Sequence, residues 1–218
     1  MRRRTIVLAK KQRKPQFVTP AGIAVYPWLN KPDTKKFESG NNKPQYKVKL
    51  KLTPQEFEKS LKGLIDEAAE RGLVEAIAEK KTRKKTFSLY VPYEDELDDE
   101  GDETGNILVK FSQNAQIRRK DGEVIDIVIP LFDKTGEATD VLVFGGSLIK
   151  VAFTMRTFAN DATKQAGVTL DIAAAQVLKA VKTARTADAF GFQAEEDDAE
   201  YEEAPEDEGD DLDDEIPF

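Results

Sequence analysis

Fifteen acidic side chains, and no basic one, crowd residues 194–218. No other feature limits the fold as much. A segment this charged and this poor in apolar residues cannot bury enough surface to offset its chain entropy, so it is expected to stay disordered. Any hydrophobic core must come from the first 193 residues. Those residues hold all 33 Lys and Arg and only 26 of the 41 Asp and Glu. A body of charge +7 therefore carries a tail of −15, a layout that the overall −8 conceals. A basic body points to a polyanionic partner, and a tethered acid run can compete for the same surface.

The residue inventory removes several classes of chemistry. The chain has no cysteine and no histidine. Disulfides, thiolate metal sites and a cysteine nucleophile are excluded, and so are the usual general base near neutral pH and the commonest metal ligand. Neither a G-x-x-x-x-G-K-[ST] loop nor a dinucleotide-binding glycine pattern occurs. Residues 94–103 hold eight acids around Gly101. Their spacing does not match a calcium loop, and they read as a solvated acidic loop. No cofactor, no metal and no enzymatic activity are expected. No run approaches about 18 consecutive apolar residues. The basic start (Arg2, Arg3, Arg4) is followed by an apolar patch, Thr5 to Ala9, too short for a secretory segment. A soluble, cytoplasmic chain is the expectation.

Hydropathy periodicity then divides the body. Residues 1–16 form a basic arm, with seven Lys or Arg among the first 14. Ile23, Val25 and Trp28 lie in an extended segment broken by Pro27, and residues 30–44 read as a loop. Tyr46 to Leu52 (YKVKLKL) alternates strictly, which predicts a strand with Tyr46, Val48, Leu50 and Leu52 inward and Lys47, Lys49 and Lys51 outward. Thr53, Pro54 and Glu56 form a helix start with a capping box. Phe57, Leu61, Leu64, Ile65 and Ala68 follow at helical spacing, and the helix ends at Gly72 or runs to Lys80. After a basic knot at 80–85, Phe87, Leu89 and Val91 alternate as a strand. Ile107–Ile117 and Val124–Leu131 read as two strands joined by an Asp-Gly turn at 120–123. Val141–Phe144 is a short strand, Gly145-Gly146 a tight break, and Leu148–Phe158 a strand. Residues 168–181 begin as a strand, although Ala173 to Val181 also suits a helix. The fold class is mainly β with one substantial helix, a small closed or partly open barrel across residues 17–182. Residues 183–218 form a linker and the acidic tail.

Binding a nucleic-acid single strand needs a cationic track for phosphates and aromatic faces for bases. The body supplies both. Lys31, Lys35 and Lys36 lie near Tyr26 and Trp28. Lys47 and Lys49 stud a strand, and Lys110 precedes Phe111. Arg118 and Arg119 crowd a turn, while Lys150, Arg156 and Phe158 lie on a late strand. Phe57, Phe87, Phe132, Phe144 and Phe153 are expected in the core. The chain ends Asp213-Asp214-Glu215-Ile216-Pro217-Phe218. An apolar tip after an acid run suits a partner's pocket rimmed by Lys or Arg.

Several blocks resemble phage single-stranded DNA-binding proteins of the T-odd coliphage type. They are WLNKPDTKKF and YKVKLKL within 28–52, ILVKFSQNAQ (107–116), IDIVIPLFDKTGE (125–137), VLVFGGSLIKVAFTMRTF (141–158) and the acidic tail. The DDEIPF end is also similar to the tail tip of bacterial single-stranded DNA-binding proteins. The resemblance implies an OB-fold Greek-key barrel with an inserted helix that coats single-stranded DNA in phage replication and recombination, within the cytoplasm of the infected host. It implies a tail that regulates DNA access and recruits polymerase or helicase-primase, and it allows a weak homodimer. It places Lys110, and Phe158 in place of the family's usual tyrosine, at DNA contacts. The competing reading is an acidic-tailed interaction or chaperone-like protein that does not bind DNA. A metal-dependent nuclease built on residues 94–103 is the enzymatic alternative.

Overall fold

The computed structural model describes residues 15–34, 44–79, 87–118 and 124–181. The basic arm before residue 15, Lys35, Lys36, Phe37, the 80–85 knot, Arg119, the 120–123 turn and the whole acidic tail lie outside the described residues.

The strict alternation of Tyr46 to Leu52 produces the strand around which the rest is built, β3 (Gln45–Leu52). Its inward residues Tyr46, Val48, Leu50 and Leu52 are 5%, 2%, 0% and 2% exposed. On one side β3 pairs antiparallel with β2 (Gly22–Asp33), on the other with β6 (Glu103–Asn114). β6 pairs in parallel with β11 (Gln165–Lys179). β11 pairs antiparallel with β10 (Leu148–Asn160), which closes back on β2 through Leu148 and Ile149. The ring β2–β3–β6–β11–β10 is a five-stranded Greek-key barrel of OB type. In chain order its strands run first, second, third, fifth, fourth. Short strands attach at the rim: β1 (Gln16–Val18), β4 (Ser88–Tyr90), β5 (Tyr93–Leu97) and β9 (Leu131–Phe132). A separate pair joins β7 (Gln116–Arg118) to β8 (Val124–Asp126).

The helix occupies the β3-to-β4 connection. Thr53 caps α1 (Pro54–Phe57): its hydroxyl accepts from the Glu56 amide, and the Glu56 carboxylate accepts from the Thr53 amide. A π-helical turn (Glu58–Lys62) leads into α2 (Gly63–Glu79), so the helix passes Gly72 rather than ending there. Phe57, Leu61, Ile65 and Ala68 are buried as the spacing predicts, whereas Leu64 is exposed. Gly72 has a specific reason. A Cβ there would lie 2.3 Å from the Gly167 carbonyl oxygen, and one on Gly167 would lie 2.0 Å from that of Tyr90. Helix, β11 and β4 therefore stack with backbone against backbone, which only glycine permits. That stacking sets the position of Tyr90.

Several readings of the sequence need correction. Residues 30–33, read as the start of a loop, are the end of β2, and the Ile107–Ile117 strand breaks at Ala115 between β6 and β7. Residues 94–103 are not a solvated loop. Tyr93–Leu97 is β5, paired with β6, and only the Asp98–Asp102 turn is irregular. Val141–Phe144 is not a strand, because its backbone is held by a side chain: the Asn30 amide donates to the Val141 carbonyl and accepts from the Val143 amide, each at 2.9 Å. The return from β8 is a strand only to Asp126 and again at Leu131–Phe132. The Ala173–Val181 stretch, left open between strand and helix, is strand through Lys179; a bulge at Ala173 shifts the buried set from Ile172 to Ala175 and Val177. Finally, Phe87 is buried and Leu89 exposed, so the three-residue alternation misplaces the face of β4. Phe57 and Phe153 are core as expected, while Phe132 and Phe144 are only partly buried.

Candidate nucleic-acid interface

A groove of about 690 Å³ runs across the outer face of β2, β3 and β6. Its walls carry Tyr26, Trp28 and Tyr90 as aromatics, and Lys47, Lys49 and Lys110 as cations. A bulge places Tyr26, strand register the lysines, and backbone stacking at Gly72 and Gly167 places Tyr90. Between Val25↔Lys49 and Trp28↔Lys47 the β2 strand gains one residue over β3, a bulge. Tyr26 takes up the extra length with φ of 48°, a left-handed conformation uncommon outside glycine. The bulge turns its ring outward to 76% exposure. Trp28, directly across from Lys47, is partly buried.

On β3 the alternation puts Lys47, Lys49 and Lys51 on the outer face. On β6 the register sets Ser112 beside Lys47 and Lys110 beside Lys49. Two like charges opposite each other across a ladder repel. Glu94 on β5 relieves this. Its Oε1 accepts from Lys49 Nζ at 2.8 Å and its Oε2 from Lys110 Nζ at 2.5 Å. Lys47 is paired with Asp33 and Lys51 with Glu96, the latter at 2.9 Å. Burial pushes the Glu94 carboxyl up, but the hydrogen bonds from Lys110 and Lys49 outweigh it, and its pKa falls below the ordinary carboxylate value. Glu96 is also lowered, by the bonds from Lys51 and Thr104. The groove is therefore cationic but internally paired: three lysines face two carboxylates. Surface pairs of this kind are worth about 0–1 kcal/mol each, so a polyanion can exchange with them.

Of the fourteen candidates, the groove gathers Tyr26, Trp28, Lys47, Lys49, Lys110 and Phe111. Phe111 needs correction. Its ring is 2% exposed and packs edge-on against Phe153, with centroids 5.2 Å apart. Following Lys110 in sequence puts it on the opposite face of β6, so it forms floor and offers no face to a base. Phe158 lines a hollow against Gly72, Glu75 and Ala76, and its ring meets Tyr90 edge-on at 5.4 Å. It supports a groove wall from behind. Lys31 and Lys150 lie in other hollows, Lys31 beside Val128–Phe132 and Lys150 beside Gln16, Val18 and Gln176. Arg156 forks onto Asp171 at 2.8 and 2.9 Å, a pair that raises its pKa. Arg118 lies on β7. Lys35, Lys36, Arg119 and the tail residues Asp213, Asp214, Glu215, Ile216, Pro217 and Phe218 lie outside the described residues.

Sequence reasoning missed Tyr90, Glu94 and Asp33. The sequence signal for Glu94 is weak: Glu94 and Glu96 fall two apart, as the lysines of β3 do, but Asp95 between them hides the alternation. Among the described residues no cluster of three or more acidic side chains is arranged to hold a metal ion.

A Greek-key barrel with a lysine-and-aromatic groove on its outer face defines an oligonucleotide-binding type of module. The family follows from sequence. The model of the Bacteriophage T7 single-stranded DNA-binding protein family matches residues 21–180, and the chain belongs to that family. The fold is similar to the crystal structure of gp2.5, a single-stranded DNA-binding protein encoded by Bacteriophage T7. That match has a TM-score of 0.65 and 22% identity, and covers 85% of this chain and 97% of that one. A C-terminally truncated single-stranded DNA-binding protein from bacteriophage Enc34 matches with a TM-score of 0.52 and 14% identity, over 84% and 99% of the two chains. The Enc34 protein in complex with single-stranded DNA gives 0.50 and 13%, over 77% and 88%. No curated protein sequence matches the chain. Among the described residues no helix is long and apolar enough to cross a membrane.

Proposed function

We propose that this protein binds single-stranded DNA without base preference along the Tyr26–Trp28–Tyr90 groove. One observation carries the reading: three aromatics and three lysines line a single groove in a chain of the phage single-stranded DNA-binding family. Lys47, Lys49 and Lys110 take phosphates. Tyr26, Trp28 and Tyr90 offer ring faces, on which any base can stack, for about 1–3 kcal/mol per base. The ring faces read no base edges, which is why no sequence preference follows. A structural relative, the Enc34 protein, was solved with single-stranded DNA, which supports the assignment. Lys35 and Lys36 follow β2 in sequence, and Arg118 and Arg119 follow β6; we keep them as candidate phosphate contacts on their charge alone.

The finer role rests on charge and resemblance. The protein coats DNA during phage replication and recombination in the host cytoplasm. Residues 17–182 are the DNA-binding domain. Residues 183–218, of net charge opposite to the body, compete with DNA for the groove. When displaced, the tip from Asp213 to Phe218 recruits replication proteins.

The test is fluorescence anisotropy of a labelled oligonucleotide, comparing the full chain with one ending at Phe192 across a salt series. Log affinity should fall with log salt by about 0.7 per phosphate neutralised. The shortened chain should bind more tightly, with the gap closing at high salt. Absence of binding by both chains would overturn the DNA assignment, and equal binding by both would overturn the tail's role.

A further inference from the structure

We propose that Glu94 is a built-in phosphate surrogate that sets how tightly the groove holds DNA; this rests on the DNA-binding reading above. Lys49 and Lys110 sit directly opposite each other, and one carboxylate bridges them with an oxygen to each amine, at 2.8 and 2.5 Å. A phosphodiester, with one negative charge shared by two non-bridging oxygens, would engage the same two amines in the same way. Glu94 is not held there by chance. β5 is tied to β6 through Tyr93↔Val109 and Glu94↔Leu108, and the Lys110 amide donates to the Pro92 carbonyl at 2.7 Å. Tyr93, next to Glu94, is itself anchored: its ring packs on Phe57 at 4.7 Å and its hydroxyl donates to Asp66 at 2.7 Å. The carboxylate is thus presented by a fixed strand at the point where Lys49 and Lys110 face each other.

The consequence is an exchange rather than a simple addition. DNA entering the groove takes Lys49 and Lys110 from Glu94 and leaves that carboxylate ionised beside a phosphate. Each bound strand therefore carries a repulsive contact, and the freed carboxylate takes up a cation that offsets part of the counterion release. Ligands with dense, continuous phosphate and stacking bases can complete the exchange. Isolated anions and acidic side chains of other proteins have no stacking to add, so Glu94 also raises the groove's selectivity for nucleic acid.

The experiment compares three full-length chains: wild type, Glu94→Gln and Asp95→Asn. Asp95 is exposed on the opposite face of β5, so its substitution changes net charge equally without touching the lysine pair. Binding of a labelled oligothymidine is measured by anisotropy over a salt series, with thermal unfolding as the check on folding. E94Q is expected to bind about three- to tenfold more tightly at low salt, with a salt slope steeper by up to about 0.7. D95N should stay close to wild type. If wild type binds and E94Q matches either wild type or D95N, the surrogate role is overturned while the DNA assignment stands. If wild type does not bind, both fall. Should E94Q unfold, Glu94→Asp supplies the same test, since the shorter arm cannot bridge both amines. Its affinity should then exceed that of wild type, and an unchanged affinity would overturn the proposal.

Discussion

The two faces of β3 differ in what determines them. The inner face is settled by the strand itself: Tyr46, Val48, Leu50 and Leu52 alternate, and all four are buried. The outer face is settled by other strands. Lys47, Lys49 and Lys51 acquire carboxylate partners from Asp33 on β2 and from Glu94 and Glu96 on β5. A core position needs only to be apolar and in register. A binding position depends on which charges the topology brings against it. The lysine row alone suggests an open cationic track, whereas the fold produces one that is already occupied by the protein's own acids.

This contrast can be broken from either side. The largest effect is expected on the inner face. Leu50→Ala removes a fully buried side chain at the centre of the barrel and should cost about 2–5 kcal/mol in denaturant unfolding. A loss below about 1 kcal/mol would mean that the β3 inner face does not anchor the core. On the outer face the balance should invert. Trp28→Ala should weaken oligonucleotide binding by about 1–3 kcal/mol, a factor of roughly 5 to 150, through loss of one stacking platform. Lys51→Ala, which removes the partner of Glu96, should shift stability by less than about 1 kcal/mol, as for other surface pairs. A larger loss would show that the outer pairs hold the fold together.

Acid should expose the same asymmetry. Glu94 and Glu96 have folded-state pKa values depressed below 4.5, and Asp66 below 3.8. A depressed carboxylate contributes stability above its unfolded value and loses it as pH falls through the folded one. The melting temperature should therefore hold from neutral pH to about pH 5 and decline below it. Glu96→Gln should make that decline shallower. A melting curve that improves on acidification would reverse the sign and contradict the ion pairs described here.

Much of the scaffold was legible because its signals are local. The Thr53–Glu56 capping box, the alternation of β3 and the Gly145-Gly146 break each involve neighbours in the chain, and each appears where expected. What was not legible depends on long-range partners. The segment Tyr93–Leu97 looks like acidic loop until β6 pairs with it. Val141–Phe144 looks like strand until the Asn30 side chain, 111 residues away from Val141, takes its hydrogen bonds. Tyr90 is unremarkable in sequence and joins the groove only because Gly72 and Gly167 let three backbones stack. Phe111 misled for the opposite reason: adjacency to Lys110 in a strand guarantees opposite faces.

Trp28 is the only tryptophan in the chain and lies in the groove, so its emission reports on that groove alone. The most direct measurement is a titration of the full chain with oligothymidine, following Trp28 fluorescence and the anisotropy of the labelled strand together. Saturable quenching of Trp28 is expected, with a midpoint that coincides with the anisotropy midpoint and moves with it to higher concentration as salt rises. Binding seen by anisotropy with Trp28 emission unchanged would put the DNA elsewhere on the barrel and contradict the assignment of this groove.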